Sequence, residues 1–263
     1  MEVEVHKLIF VTVAAAMLMS AGANAQPSNT RRLCLGGNEV PLEQKLSACT
    51  AMIESGQEPP QNRAVAFERR GLALFEKKDY DRAIADYDQS LTLNPKQVTG
   101  FINRGNAWQA KGYNNRAIED YNQAVRIDQK NAIAFYNLGV AYEDKGRWEF
   151  DAYVHEGSYE QVAIRFFDLA ILFNPKYHQA LNNRGDAYLI LRQYARAIDD
   201  FSQAVQIDSN EPLYFKNRAN ALRFVGLYDR AIADYRKALT LKIDEQMKKE
   251  IEGALTELGA VTH

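Results

Sequence analysis

The sequence predicts an all-α fold of about five helix–turn–helix repeats with a capping helix at each end. Three observations carry that prediction. One pattern, FINRGNAWQAKGYNNRAIEDYNQAV at 101–125, recurs five times along the 263 residues. The small residue at its centre falls at Gly71, Gly105, Gly139, Gly185 and Ala219, at spacings of 34, 34, 46 and 34. Within each copy the apolar residues follow helical spacing in two blocks separated by a turn, and a fixed period of this size marks a stacked-repeat architecture.

The elements follow in order. Residues 8–19 (LIFVTVAAAMLM) are an apolar run after Lys7, followed by Ala23-Asn-Ala25, a small-x-small sequence. This reads as a secretory signal at 1–25, cleaved after Ala25. Glu2 and Glu4 make its start less basic than usual, and an uncleaved anchor is the alternative, although the run is shorter than the roughly 18 apolar residues of a span. Residues 26–63 read as a linker and an N-terminal capping helix. Within them 26–32 is polar and 33–40 is irregular, with Gly36-Gly37. Pro41 then suits a first helical position. Leu42, Leu46, Cys49 and Ile53 fall on one helix face that Gly56 ends.

Cys34 and Cys49 are the only cysteines. In an exported chain an isolated pair forms a disulfide, here closing a loop worth about 3 kcal/mol. Two free thiols are the alternative, and two thiols alone do not complete a zinc site.

The repeats occupy 64–97, 98–131, 132–177, 178–211 and 212–245. In the second, helix A runs over about 98–111 and helix B over about 115–127, with Gly112 between them. Phe101, Gly105 and Trp108 share one face of helix A; Ala117, Tyr121 and Ala124 share one face of helix B. The small residues permit close approach of the helices and the aromatics fill the space between them. One hairpin of this kind leaves an apolar stripe uncovered, so the hairpins must stack. Residues 246–263 carry Met247, Ile251, Leu255 and Leu258 at helical spacing, with Lys248, Lys249 and Glu250 opposite: a C-terminal capping helix.

On these slots the chain resembles the tetratricopeptide repeat (TPR) proteins. The first large residue is Phe67, Phe101, Phe135, Leu181 or Phe215. The helix-B slots are Ala83, Ala117, Ala163, Ala197 and Ala231, then Tyr87, Tyr121, Phe167, Phe201 and Tyr235. The terminal proline is present as Pro95 and Pro175 and absent from the other three repeats. The resemblance covers about 64–245. It implies a right-handed superhelical solenoid whose A helices line a concave groove that binds a protein or an extended peptide, without a cofactor.

Composition narrows the function. A formal net charge of -2 and a pI near 6.1 give no basic excess for a nucleic-acid partner. Once a signal is cleaved, no membrane partner is expected. Catalysis finds no support, because the mature histidines are only His155, His178 and His263, and neither a nucleophile elbow, a P-loop nor a metal-spaced His/Cys cluster occurs. The expectation is a non-catalytic scaffold, periplasmic or secreted.

Four repeats pair an arginine before the small slot with an aspartate before the helix-B aromatic: Arg70 with Asp86, Arg104 with Asp120, Arg184 with Asp200, and Arg218 with Asp234. In the third repeat both slots turn apolar together, as Leu138 and Phe166. That joint change predicts that the two slots touch, as a bidentate ion pair where both charges are present.

The residue before the arginine slot is Asn103, Asn137, Asn183 or Asn217. With Asn106 and Asn220 these amides read as groove residues that would hold a peptide backbone, since asparagine both donates and accepts. The alternative is that they bond neighbouring helices. Other groove positions, including Glu143, Asp144 and Asp186, lean acidic until the fifth repeat, which turns basic; this mixed surface suits an extended peptide with some cationic character, and ordinary solvated faces are the commoner alternative. The twelve extra residues of the third repeat, 147–158, carry Trp148, Phe150 and Tyr153. They read either as a binding insertion or as an extended helix A with its aromatics packed on a neighbour, and the alternative function is a structural adaptor of a cell-envelope assembly that docks through this insertion or through the convex face.

Overall fold

The computed structural model describes residues 27–37, 39–148 and 158–260, and among these it contains thirteen α-helices and no strand. The chain divides into two compact lobes between Ala107 and Trp108. The N-terminal lobe holds α1 (Pro27–Leu35), α2 (Leu42–Glu54), α3 (Pro60–Glu76), α4 (Tyr80–Leu93) and most of α5 (Val98–Ala110). The C-terminal lobe holds the end of α5, then α6 (Asn114–Ile127), α7 (Ala132–Trp148), α8 (Ser158–Phe173), α9 (His178–Ile190), α10 (Tyr194–Ile207), α11 (Pro212–Phe224), α12 (Tyr228–Leu239) and α13 (Glu245–Glu257). In each lobe consecutive hairpins stack, so the fold is an all-α solenoid of helix–turn–helix repeats.

Close approach within a hairpin is set by the small slot. A Cβ on Gly71 would lie 2.7 Å from the Tyr87 ring, and one on Gly185 2.7 Å from the Phe201 ring. Both rings are fully buried. No larger residue fits those crossings without moving a ring that is packed on every side. The turn from helix A to helix B repeats one geometry. A left-handed residue occupies Lys78 (φ 61), Gly112 (φ 80), Arg192 (φ 58) and Gly226 (φ 76). The next amide reaches back five residues: Asp79 N–H to Leu74 O at 2.9 Å, Tyr113 to Trp108 at 2.9 Å, Gln193 to Tyr188 at 2.8 Å and Leu227 to Leu222 at 3.0 Å. This is the Schellman closure of a helix C-terminus.

The N-terminus departs from the sequence reading. Residues 27–35, expected to be linker and irregular chain, form α1. Its sequence, PSNTRRLCL, is short and largely polar, so periodicity gives little signal. The helix is held from outside, by packing of Leu33 and Cys34 against Ala48, Cys49 and Met52 and by a Cys34–Cys49 disulfide with Cα atoms 4.7 Å apart. Isolated helices of this length are marginal in water, and tertiary contact supplies the stability.

The α1–α2 hairpin precedes the first repeat without keeping its register: Cys34 and Cys49, joined by the disulfide, are 15 residues apart, one fewer than Gly71 and Tyr87. Thr50 follows Cys49 as Asp88 follows Tyr87, and both accept from the arginine of the next repeat: Arg70 Nη1 to Thr50 Oγ1 at 3.1 Å, and Arg104 Nη1 to Asp88 Oδ1 at 2.6 Å.

At the other end α13 occupies the next helix-A position. Lys216 Nζ meets Glu250 at 2.8 Å and Arg223 Nη2 meets Glu257 at 2.7 Å, each 34 residues on. Ile251 and Leu255 are fully buried in the cluster of Phe215, Leu222 and Tyr235.

Candidate protein-interaction surface

The arginine slots fix the frame on which the surface is built. Arg70 donates Nε and Nη2 to the two oxygens of Asp86 at 2.8 and 2.7 Å. Arg184 does the same to Asp200 at 2.7 and 2.7 Å, and Arg218 to Asp234 at 2.7 and 2.7 Å. Arg104 and Asp120 have one member in each lobe. In the third repeat Leu138 is fully buried and Phe166 packs against the same cluster, stacked on Tyr142 with centroids 5.4 Å apart.

The third nitrogen shows what the sequence reading missed. Besides the reach of Arg70 and Arg104 described above, Arg184 Nη1 donates to Asp168 at 2.6 Å and Arg218 Nη1 to Ser202 at 3.3 Å. Arg70, Arg184 and Arg218 therefore each join helix B of their own repeat to the second helix of the hairpin before. The signal was present in the polar residue that immediately follows the helix-B aromatic, in Asp88, Asp168 and Ser202. Hydrogen bonding to Asp86 holds Arg70 above the ordinary arginine value. Burial pushes the Asp200 carboxyl up, and the Arg184 hydrogen bonds oppose that push.

The asparagines mostly serve joints between helices. Asn217 is 8% exposed and its amide faces Asn182 Oδ1 at 3.0 Å and Asp186 Oδ2 at 3.3 Å. Asn183 donates to the Tyr136 hydroxyl at 3.3 Å, Asn103 donates to Glu68 at 3.2 Å, and Asn220 accepts from the Tyr235 hydroxyl at 2.5 Å. Asn106 and Asn137 are half-buried on α5 and α7. Of the two readings the sequence left open, the interhelical one describes Asn217; Asn183 bridges helices and also stands at the rim of a cleft. The aromatic side chains Trp148, Phe150 and Tyr153 lie outside the described residues, as do the signal region and the cleavage site at Ala25.

That cleft, of about 290 Å³, lies among α7, α8 and α9. Val140, Glu143 and Asp144 come from α7, Glu160 from the start of α8, and Asn183, Asp186 and Ile190 from α9. Gln109 Nε2 donates to Asp144 at 2.6 Å. Next to this cleft Tyr136 lies against Tyr177, centroids 4.9 Å apart, and His178 Nδ1 is 2.7 Å from the Tyr214 hydroxyl. Burial pushes the Tyr136 phenol up, and Tyr177 up to about 12. These phenols are neutral at physiological pH, so the charge of the cleft is that of its carboxylates. Among the described residues no group of three or more His, Cys, Asp or Glu is placed to hold a metal ion. No helix among them is long and apolar enough to cross a membrane.

Stacked helical hairpins with a small-residue crossing in each define the class of helical repeat scaffolds. Family models described as tetratricopeptide repeat match residues 64–97, 178–211 and 217–242, and one described as TPR repeat matches 110–146. The chain belongs to the tetratricopeptide repeat proteins. Solved structures of similar fold include MamA, at 25% identity over 68% of this chain and 95% of that one, with a TM-score of 0.55. A thermophilic TPR protein of Thermus thermophilus shares 24% identity over 73% and 99%, with a TM-score of 0.61. YrrB, described as a TPR protein with an unusual peptide-binding site, shares 19% over 79% and 99%, with a TM-score of 0.56. Comparison with curated proteins returns no match. The fold is that of a protein-interaction scaffold.

Proposed function

We propose that the chain is an exported, non-catalytic scaffold that holds an extended cationic segment of a partner protein along the A helices of its C-terminal lobe. The carrying observation is the cleft among α7, α8 and α9, where Glu143, Asp144, Glu160 and Asp186 converge beside the apolar Val140 and Ile190. Carboxylates around a partly apolar cleft attract a lysine or arginine head while its methylene stem lies on the aliphatic wall. Asn183 at the rim offers an amide to the peptide backbone. The Cys34–Cys49 bond supports the exported reading, because structural disulfides persist in oxidising compartments. The signal at 1–25 and a periplasmic or secreted location belong to the same proposal.

The test is fluorescence anisotropy with labelled decapeptides that carry two arginines, none, or two glutamates. The reading expects binding of the basic peptide alone. Glu143→Gln with Glu160→Gln should weaken it by about tenfold, two charge pairs at roughly 0.7 kcal/mol each. Equal binding of all three peptides, or no effect of the double substitution, overturns it. Docking through the aromatic insertion is the second reading, motivated by Trp148, Phe150 and Tyr153 in a twelve-residue excess over the repeat. Removing 147–158 separates the two: it abolishes partner capture under the insertion reading and spares it under the groove reading.

A further inference from the structure

The turns between helix A and helix B of the fourth and fifth repeats expose apolar side chains. Phe224 is 63% exposed, Ile190 58%, Tyr228 54%, Leu227 42% and Val225 41%. Residues 224–230 are exposed without interruption. The two turns form one surface: the Tyr194 and Phe224 rings stack with centroids 5.1 Å apart and an interplanar angle of 8°, and Leu189, Phe224, Tyr228 and Leu258 line a common depression. The hairpin turns of a stacked array emerge along one edge, so these side chains project outward together.

The charge on this edge has one dominant sign. Arg192, Arg196 and Arg230 are exposed in the two turns. Within 190–196 and 224–230 the only carboxylate is Asp229, and Glu257, which lines the depression, is paired with Arg223 at 2.7 Å. Arg192 holds a left-handed backbone at φ 58, a conformation that glycine adopts more readily and that Gly226 supplies in the next repeat. A cation is kept there at a conformational cost.

We propose that this edge docks on the surface of an anionic lipid bilayer. Aromatic and aliphatic tips at the end of a rigid scaffold enter the boundary between headgroups and acyl chains, where tyrosine and phenylalanine are favoured, while the arginines face phosphate. Each cation held at an anionic leaflet contributes about fivefold to partitioning. A protein partner is the other class of occupant. Val225 and Leu227, exposed at the tip of the fifth-repeat turn and outside that depression, favour the bilayer, which yields around them, whereas a protein would need a matching concavity. The sequence alone gives no sign of this partner, since the whole chain carries a net charge of -2 and the edge is assembled from two separate turns. The edge shares Ile190 with the rim of the peptide cleft and is otherwise built from different residues.

The test uses the full chain, oxidised so that Cys34 and Cys49 stay paired, with Val225→Cys carrying an environment-sensitive fluorophore. A second protein carries the same label at Asn210→Cys. Asn210 is an exposed position about 20 Å away along α10, at the other end of the hairpin. Each is mixed with phosphatidylcholine vesicles, or with vesicles of phosphatidylcholine and 30% phosphatidylglycerol. The proposal expects co-sedimentation with the anionic vesicles, weakened by salt, with a blue shift at 225 and none at 210. Phe224→Ser with Leu227→Ser should abolish the shift. Arg192→Gln, Arg196→Gln and Arg230→Gln together should lower partitioning about a hundredfold. Sedimentation without a shift at 225 assigns the binding to another segment and overturns the proposal. So does equal binding to neutral vesicles, or no binding to either.

Discussion

The same substitution should have opposite signs at two glycines of the C-terminal lobe. Gly185 and Gly253 both lie in helical interiors, and Ala in place of Gly is worth about 1 kcal/mol of helix propensity at either. At Gly253 a Cβ would meet nothing within 4 Å, so Gly253→Ala should stabilise by about 0.5–1 kcal/mol. At Gly185 the new methyl would stand 2.7, 2.9 and 3.0 Å from three atoms of the Phe201 ring, which is fully buried. Ordinary contact is near 3.7 Å, so the ring or the helix must move by about 1 Å at an overpacking cost of roughly 2–3 kcal/mol. Set against the propensity gain, Gly185→Ala should destabilise by about 1–2 kcal/mol. Ala219 carries the same methyl at the equivalent crossing with Tyr235, both buried, so the penalty is one of fit within a hairpin built around glycine. The assay is guanidinium unfolding followed by circular dichroism at 222 nm, with the midpoint compared at constant slope. Phe201→Leu should recover part of the loss in the double variant. A Gly185→Ala protein as stable as the parent would refute the reasoning, because it would mean the crossing yields without cost.

Lys78→Gly and Arg192→Gly should each stabilise by about 0.5 kcal/mol, since the left-handed backbone costs a side chain 1–2 kcal/mol and glycine returns part of that as unfolded-state entropy; Gly226→Ala should destabilise, and guanidinium midpoints for the three report the signs. Asp200→Asn leaves Arg184 with half of its bidentate partner at a site where Asp200 is 3% exposed, so a loss of about 2–3 kcal/mol is expected, while Arg184→Met with Asp200→Leu should recover much of it. Cys34→Ser with Cys49→Ser should lower stability by about 3 kcal/mol and expose α1 first, read as selective proteolysis near residues 31 and 32 before the repeats are cut. Alkaline titration followed at 295 nm should release Tyr177 only as helices separate: its folded value, about 12, lies above the free phenol's, so the stability it contributes is complete below pH 10 and is lost as pH rises through 12.

The repeats themselves were legible because they are written redundantly. One slot change could mislead, but five copies at a fixed period leave one architecture, and the aligned slots place Gly185 opposite Phe201 without coordinates. The joint loss of charge at Leu138 and Phe166 located an arginine–aspartate contact in the same way. The α1 helix was not legible, because nine mainly polar residues owe their helicity to a disulfide and to Ala48 and Met52 across from them. The asparagines were ambiguous for a related reason: an amide serves a peptide or a neighbouring helix equally well, and the positions of Asn182 and Asp186 assign Asn217 alone to an interhelical joint.

The sequence by itself determined the class of fold, the hairpin register and the family, since these depend on periodic matching between residues a fixed number of positions apart. Only the tertiary structure decided what each surface offers. The second reach of Arg184 to Asp168, the convergence of Glu143, Glu160 and Asp186 on one cleft, and the stacking of Tyr194 on Phe224 are juxtapositions that the period allows but that residue type alone does not select. Their physical cause is stacking: one repeat laid on the next brings side chains together by geometry alone.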